Sequence, residues 1–350
     1  MHEFELIKNY FQKLSKKSLG SLNLNDDVFF DKKNNLVISV DTYSEGSHFI
    51  NFKKPDLVIK KIIRSSISDL ICKGVQPKYY FISASGNKKS FSKSNLSKIR
   101  KSLNQEQNKY KIFLSGGDTI FSSKLSFTII SIGFSKTIVY RNKAKINDDI
   151  YVSGNLGDSY MGLLLLKDKI KISKGPLKKY FINQYYMPNI QLKLVEKIKN
   201  FANTSIDISD GLLTDLDKMI NTQNLSYQIK LKDIPISNNL KKTLELKNLA
   251  KINYISKGDD YQVLFTASKS KRRIISKASS NYGVKITRIG SIKASSKKST
   301  IFDHKNKQIS LKNKGYFHTT TTLCKLDFKR NFWYVGATCT LSGCCGVGIA

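Results

Sequence analysis

The sequence is poor in cysteine. Five cysteines occur among 350 residues, and the four after Cys72 all lie beyond residue 320. A body with a single thiol cannot form an internal disulfide framework, which fits a reducing cytoplasm. One body cysteine and four histidines also give no convincing zinc-binding set. We therefore predict a cytoplasmic protein without a zinc site.

Signatures of several common enzyme classes are missing as well. The sequence has no Walker A Gly-Lys-Ser/Thr, no His-Arg-Asp loop of the protein kinases and no nucleophile elbow of a serine hydrolase. The first residues, MHEFELIKNYFQKL, contain early acidic side chains and no apolar run, so we predict no signal peptide. Any chemistry must therefore depend on a different set of residues.

Acidic side chains are scarce, at 26 Asp and Glu against 60 Lys and Arg, which gives a formal net charge of +34. Such a charge is typical of nucleic-acid-binding proteins. The lysines, however, are scattered through almost every segment and form no single stripe or tail. We favour a solvated lysine surface with no specific nucleic-acid partner, which would still steer anionic substrates toward the chain.

The few aspartates gather beside small residues at the ends of predicted elements. The segment SIDISDGLLTD, residues 205–215, holds three of them. Oxygen ligands on flexible turns suit Mg²⁺, which binds a few carboxylates together with substrate phosphates. Any single member, such as Asp158 or Asp215, is more simply read as a helix cap. Capping does not explain the whole set, which comprises Asp26, Asp27, Asp41, Asp69, Asp118, Asp158, Asp207, Asp210, Asp259 and Asp260.

Hydrophobic periodicity predicts alternating strands and helices in both halves of the chain, which makes the fold class α/β. Residues 36–40 are predicted as a strand buried on both faces, and a helix is predicted to begin at Pro55. A strand over residues 111–120 is predicted to break at its glycine pair. We place a domain boundary near residue 141, which divides the chain into an N-terminal α/β domain (1–140), a C-terminal α/β domain (141–318) and an atypical tail (319–350).

The tail does not continue the pattern of the body. Residues 332–350 are uncharged and about long enough to span a bilayer, yet threonine, serine and glycine make them weakly apolar. A membrane anchor is therefore the less favoured interpretation. We interpret residues 319–350 as a disordered or extraneous extension with no role in the function.

The motifs of the body, in their order, resemble those of thiamine-monophosphate kinase, in the superfamily that includes aminoimidazole ribonucleotide synthetase. GGDT, GDDYQ and the closing KGY favour this kinase within the superfamily. The matching pieces span about residues 3 to 318 and are LNDDVF, SVDTYSEGSHF, SISDLICKG, LSGGDT, VYRNKAKINDDIYVSGNLGDS, SIDISDGLLTDL, KGDDYQVLFT and KGYFH.

The resemblance implies a fold, an activity and a set of site residues. The fold would be a two-domain α/β subunit that dimerises through strands of its N-terminal domain. The activity would be ATP-dependent phosphorylation of thiamine monophosphate to thiamine diphosphate, assisted by several Mg²⁺ ions and without a general base. By motif position, the Mg²⁺ ligands would be Asp27, Ser39, Asp41, Asp69, Asp118, Asp207 and Asp210; the ATP contacts Gly117, Asp118, Arg141 and Ser209; and the substrate contacts His48, Asp259 and Tyr316.

The chain departs from the family pattern at a few positions. Asn25 stands where glycine is usual, and we expect it to adopt a positive φ, because Asn tolerates that conformation best after glycine. Asp259 stands where a longer glutamate is usual. Ser66, Met187 and Lys257 also differ, and no central aspartate of the predicted metal site is lost.

Three other functions stay open on the sequence. The chain could be another ATP-using enzyme of the same superfamily, such as aminoimidazole ribonucleotide synthetase or selenophosphate synthetase, although the N-terminal Cys or selenocysteine of the latter is missing. It could be a basic nucleic-acid-binding protein. It could also be a non-catalytic relative that binds thiamine phosphates.

Overall fold

The computed structural model describes residues 3–173, 175–295, 298–303 and 305–309. The first half of the chain forms a five-stranded sheet from β1 Phe29–Asp31, β2 Leu36–Ser44, β3 Pro77–Gly86, β4 Phe113–Phe121 and β5 Ser126–Phe134. The strand order is β1-β2-β5-β3-β4. Strands β3 and β4 are parallel, and the other neighbours are antiparallel.

The second half forms a six-stranded sheet. Its strands are β6 Asp149–Ser153, β7 Thr204–Asp207, β8 Leu225–Lys230, β9 Val263–Ala267, β10 Ile286–Ala294 and β11 Thr300–Phe302. The order is β11-β8-β10-β6-β9-β7. The predicted mixed α/β class is thereby confirmed. The predicted domain boundary near residue 141 falls between the two sheets and stays a prediction.

Helices connect and cover these sheets. The α-helices are α1 Glu3–Leu6, α2 Pro55–Cys72, α3 Lys93–Tyr110, α4 Asp158–Leu166, α5 Pro176–Tyr186, α6 Val195–Ile198, α7 Leu212–Met219, α8 Asn238–Leu246, α9 Ile252–Ile255 and α10 Arg272–Tyr282. A π-helical turn, Ile7–Phe11, follows α1. Short 3₁₀ turns are Leu14–Lys17, Leu19–Leu24, Leu192–Leu194, Leu231–Asp233 and Lys269–Lys271.

Helix α2 lies between the two sheets. It contacts β2 and β5 of the first sheet and β7 and β9 of the second. Its predicted start at Pro55 is confirmed, since the fixed φ of proline suits the first turn of a helix. It ends just before Gly74, which has a φ of 73° that few other residues adopt. Fourteen of its eighteen residues are buried, so α2 forms the centre of the molecule.

The apolar side chains of α2 join both halves into one core. Ile59, Ile63 and Ile67 are buried and belong to the same cluster as Ile129 of β5 and Phe265 of β9. Each isoleucine buried in this way contributes about 1.5–3 kcal/mol to stability. The position of one sheet relative to the other is therefore determined by packing on a shared helix.

Three buried cations lie on α2 or directly after it. Their side chains have almost no contact with solvent, and each meets a carboxylate from a different part of the chain. The pairs are Lys61 with Asp259, Arg64 with Glu106 of α3, and Lys73 with both Asp26 and Asp27. Because a buried charge without a partner is strongly unfavourable, these pairs constrain how the surrounding segments dock on α2.

Two predictions about the first sheet are wrong. Strand β2 is not buried on both faces, because Val37 is buried whereas Val40 is 61% exposed. The strand over residues 111–120 also does not break at its glycine pair: β4 runs through it, and the extra residue is absorbed by a bulge in its pairing with β3.

The expectation for Asn25 is also wrong. Its φ is −109°, and the positive φ values of this turn occur instead at the three preceding residues, Leu22, Asn23 and Leu24. The left-handed part of this turn ends before Asn25, so no glycine is needed there.

Some predictions fall on residues that the structure does not describe. Tyr316 and residues 319–350, with the interpretation of the tail, lie outside the described residues. Among those that are described, no helix has the length and apolar character required to cross a membrane.

The Arg64–Glu106 pair gives a test of the packing on α2. The guanidinium donates two hydrogen bonds to the carboxylate, at 2.8 and 3.0 Å, and both side chains are buried. We expect Glu106→Leu alone to lower the free energy of unfolding by about 3–5 kcal/mol, because it leaves a buried cation unpaired. The double change Arg64→Met with Glu106→Leu should recover most of that loss. Urea denaturation measures the free energy of unfolding of both variants. Equal stability of the single and double variants would mean that the unpaired Arg64 is not the cause of the loss.

Candidate active site

A cavity of about 1000 Å³ opens between segments of both halves of the chain. It collects most of the site residues predicted from the sequence. Those that line it are Asp27, Ser39, Asp41, His48, Asp69, Arg141, Asp207, Ser209, Asp210 and Asp259. Gly117 and Asp118 lie outside this lining, on β4.

The carboxylates reach the cavity from four different elements. Asp41 is on β2, Asp69 is on the last turn of α2, and Asp207 is the final residue of β7. Asp210 follows in the loop that leads into α7. Residues far apart in the sequence therefore converge because α2 and β7 pack against each other beside β2.

The loop that carries Asp210 is joined tightly to the loop that carries Asp259. The Asp259 N–H donates to the Ser209 carbonyl at 2.9 Å. A Cβ on Gly211 would collide with the Ser256 carbonyl, and a Cβ on Gly258 with the Ser209 carbonyl; both glycines also have positive φ. The glycines of the SDG and KGDD motifs thus allow two backbones to meet at the cavity wall.

Asp41, Asp69 and Asp207 form a crowded set of carboxyl groups. Burial, reinforced by the charge of Asp207, raises the pKa of Asp41 from 3.8 to about 7. Burial and the charge of Asp27 raise the pKa of Asp207 to about 6. Burial and the charge of Asp41 raise the pKa of Asp69 as well. In the described part of the chain no lysine or arginine forms an ion pair with any of the three.

Hydrogen bonds hold two of these carboxyl groups in place. The Ser68 hydroxyl donates to Asp207, and the Tyr43 hydroxyl donates to Asp41 at 3.2 Å. These neutral donors orient the carboxylates without supplying the positive charge that they need.

Other acidic residues are paired with cations of the protein. Asp27 accepts from the guanidinium of Arg141 and lies 3.1 Å from the Lys73 ammonium. Burial alone would raise the pKa of Asp27, but the charges of Arg141 and Lys73 outweigh it and lower the pKa to about 2. Asp210 pairs with Lys218, which lies on α7.

Asp215 and Asp158, which the sequence analysis interpreted as helix caps, form local and long-range hydrogen bonds within the fold. Asp215 accepts the backbone N–H groups of Asp210 and Gly211, at 2.9 and 3.0 Å, and so closes the loop before α7. Asp158 accepts from the hydroxyls of Tyr180 and Ser237. The first arrangement agrees with the interpretation of Asp215 as a local cap. The cap interpretation of Asp158 is wrong, because its carboxylate binds hydroxyls 22 and 79 positions away instead of backbone N–H groups of its own helix.

The donor set fits a hard divalent cation such as Mg²⁺. Carboxylate oxygens are the ligands that Mg²⁺ prefers. A divalent cation would stabilise three buried carboxyl groups that form no ion pair with a described lysine or arginine. No group of three acidic, histidine or cysteine side chains within the described ranges is already spaced around a single point. Part of the reason is that Asp27 and Asp210 point to Arg141 and Lys218 instead.

Strand β4 places Asp118 on the other face of the first sheet. Thr42 of β2 lies opposite Thr128, which lies opposite Ser83, which lies opposite Asp118. Directly paired residues share a face, and successive residues alternate. Asp118 is therefore on the face of Thr42, three strands away, whereas Asp41 points to the opposite face. Within one chain Asp118 does not join the other carboxylates.

The predicted substrate contacts lie at another wall of the cavity. The His48 ring accepts the Ser44 N–H through Nδ1 at 3.1 Å, so the neutral ring carries its proton on Nε2. Asp259, at a φ of 60°, accepts from Lys61 at 2.7 Å and from the Tyr261 hydroxyl at 3.0 Å. The Lys61 ammonium also lies 4.0 Å from the centre of the Tyr185 ring.

Sequence reasoning missed the cations of this site. Lys61, Lys73 and Lys218 each pair with a cavity carboxylate, but they are three among many scattered lysines. The one available signal was the sequence around Lys61 and Lys73, since Lys61 lies among the apolar residues of α2 and Lys73 follows them directly. A lysine on such a helix requires a partner.

Comparisons with known proteins agree with this geometry. The family model described as AIR synthase related protein, N-terminal domain, matches residues 25–135. Thiamine-monophosphate kinase of Buchnera aphidicola subsp. Acyrthosiphon pisum is 35% identical over 90% of this chain and 98% of its own length. The Escherichia coli K12 protein of the same name is 29% identical over 91% of this chain and 98% of its length.

Solved structures show the same similarity. AaThiL complexed with AMPPCP and TMP superposes with a TM-score of 0.77 at 29% identity, covering 91% of this chain and 97% of that one. The thiamine monophosphate kinase of Aquifex aeolicus gives a TM-score of 0.72, with 88% and 99% covered.

The raised pKa values predict how stability depends on pH. Because the folded-state pKa values of Asp41 and Asp207, about 7 and about 6, lie above the ordinary 3.8, the stability they contribute is present at low pH and lost as the pH rises through those values. In EDTA, the melting temperature should fall between about pH 4 and pH 7 and then level off. Mg²⁺ should restore it most strongly above pH 7, and Asp41→Asn should flatten the EDTA profile. Differential scanning fluorimetry measures this, and an EDTA profile that rises over the interval would refute it.

Proposed function

We infer that this chain, which belongs to the thiamine-monophosphate kinase family, transfers a phosphoryl group from ATP to thiamine monophosphate and so forms thiamine diphosphate. The identity to relatives of that name over nearly their full length supports the activity. The single observation that carries the mechanism is the convergence of Asp41, Asp69 and Asp207 in one cavity beside Arg141 and Asp210.

The chemistry requires neutralisation of charge and no general base. The second pKa of a phosphate monoester is about 6, so the acceptor oxygen is already anionic at neutral pH. The obstacle is the approach of two polyanions in line. Side chains of the chain that can orient them are Arg141 and Lys218, whose cationic groups line the cavity. Both would exchange a carboxylate partner, Asp27 or Asp210, for a phosphate oxygen.

We propose Mg²⁺ as the resident cation of the carboxylates. When bound, it would supply positive charge that neutralises the phosphates of the two substrates. Asp41, Asp69 and Asp207, which pair with no lysine or arginine among the described residues, would hold it, and Asp27, Ser39 and Asp210 would complete the ligand set. Ser39 is buried and at present donates to the Ser66 carbonyl at 3.3 Å. Ser209 would contact ATP, and His48 and Asp259 the thiamine substrate.

We also propose that the protein is a homodimer whose first sheets stack through their outer faces. That face exposes large apolar side chains, among them Val40, Phe113, Ile120 and Phe134. Contiguous apolar surface of this kind is typical of interaction sites. A second copy would also bring its Asp118 and Gly117, which lie on that sheet, toward the cavity that Asp118 cannot reach within its own chain.

The turnover test for the metal site uses single aspartates. With ATP, Mg²⁺ and thiamine monophosphate, the purified protein should form thiamine diphosphate, detected by chromatography. Asp41→Ala and Asp210→Ala should abolish product formation while the circular dichroism spectrum stays unchanged, because each removes a charge needed to bind the cation. Glu196→Ala, at an exposed position outside the cavity, is the control and should retain activity. Near-normal activity of both aspartate variants would remove the metal site from the mechanism.

A complementation test addresses the dimer. Asp41→Ala and Asp118→Ala should each be inactive, because every site would lack either its own Asp41 or the Asp118 of the second copy. After the two are unfolded and refolded together, about a quarter of wild-type activity should return, because half of the dimers are mixed and each mixed dimer holds one complete site. No recovery, with mixed dimers shown by mass spectrometry, would mean that Asp118 has no role in the partner's site.

A further inference from the structure

Lys73 occupies an unusual place beneath the cavity. Its side chain is fully buried, directly after the last residue of α2. The ammonium group lies 2.7 Å from Asp26 and 3.1 Å from Asp27, and it donates to the Ser205 carbonyl at 2.8 Å. It therefore connects α2, the turn that precedes β1, and β7.

The charges around Lys73 balance. Asp26 and Asp27 contribute two negative charges, and Lys73 and Arg141 contribute two positive charges. The Arg141 backbone N–H also donates to Asp26 at 2.9 Å. Burial would lower the pKa of Lys73, but Asp26 and Asp27 outweigh burial and raise it, so the ammonium stays charged.

The neighbouring carboxylates differ from Asp26 and Asp27 in their ion-pair partners. Asp41, Asp69 and Asp207 have no lysine or arginine in an ion pair within the described part of the chain. One cavity thus has two acidic regions, one neutralised by the protein itself and one that is not. A divalent cation should be attracted much more strongly to the second region.

We propose that Lys73 is a built-in counter-cation of the metal site, which supplies one of the positive charges of the acidic cavity and thereby weakens divalent-cation binding at Asp27. Asp27 can still offer an oxygen to a metal ion, but its charge is already shared. Lys73 is a positioning residue, because it acts through Asp26 and Asp27 and does not line the cavity. The inference rests on the proposed function only for the presence of a divalent cation.

A double-mutant cycle on Lys73 and Asp26 tests this with Mn²⁺ as the probe. Free Mn²⁺ is measured by electron paramagnetic resonance during titration of the full chain, without nucleotide. Lys73→Met should tighten binding of at least one ion by about tenfold or more, since a nearby positive charge is lost. Asp26→Asn should weaken binding, because Lys73 then acts on Asp27 alone. The double variant should return to within about threefold of wild type, since it removes one charge of each sign.

The controls separate charge from structure. Arg64→Met with Glu106→Leu also removes a buried ion pair from α2, and its Mn²⁺ affinity should equal that of wild type. If Lys73→Met does not fold, the test still has two outcomes: the weaker Mn²⁺ binding of Asp26→Asn and the recovery of that binding in the double variant. Unchanged or weaker binding by Lys73→Met, or unchanged binding by Asp26→Asn, would overturn the inference. Absence of Mn²⁺ binding by wild type would instead overturn the metal dependence of the proposed function, and the inference with it.

Discussion

Burial of helix α2 between two sheets is the constraint on which the other features depend. A helix with solvent on neither side must find partners inside the protein for every polar group it carries. α2 carries Lys61 and Arg64, and Lys73 follows it directly. Their carboxylate partners come from a loop before β9, from α3 and from the turn before β1. The packing that forms the core therefore also determines where acidic side chains collect.

The acidic character of the cavity arises because cations of the protein pair with only some of its carboxylates. The same helix that carries Lys61 and Arg64 also carries Asp69, which meets Asp41 and Asp207. No lysine or arginine of the described residues forms an ion pair with these three carboxyl groups. Burial and the charge of a neighbouring aspartate raise the pKa of each of the three, because burial and like charge both disfavour the ionised form. Such a site is unfavourable for stability and favourable for binding a divalent cation together with phosphates. Strain of this kind is expected where a protein has been selected for function rather than for stability.

Much of the fold and of the site could be predicted from the sequence. The start of α2 at Pro55, the strands on either side of it and the gathering of Asp27, Asp41, Asp69, Asp207 and Asp210 follow from local patterns and from ordered motifs. The two wrong predictions about strands concerned what surrounds each strand, which its own sequence does not show. Residues 36–40 at the start of β2 are nearly all apolar although one face of the strand is exposed. Strand β4 passes through Gly116 and Gly117 because β3 holds it by hydrogen bonds.

The sequence by itself determined the type and order of the elements and the identity of the acidic residues, because periodicity, proline and glycine act over a few neighbouring positions. Only the tertiary structure decided which charges meet. Lys61 pairs with a residue 198 positions away and Arg64 with one 42 positions away, and nothing in the local pattern of a lysine-rich chain distinguishes these cations from the exposed ones. The face of the sheet that carries Asp118 was likewise decided by strand register, which depends on hydrogen bonds between distant segments.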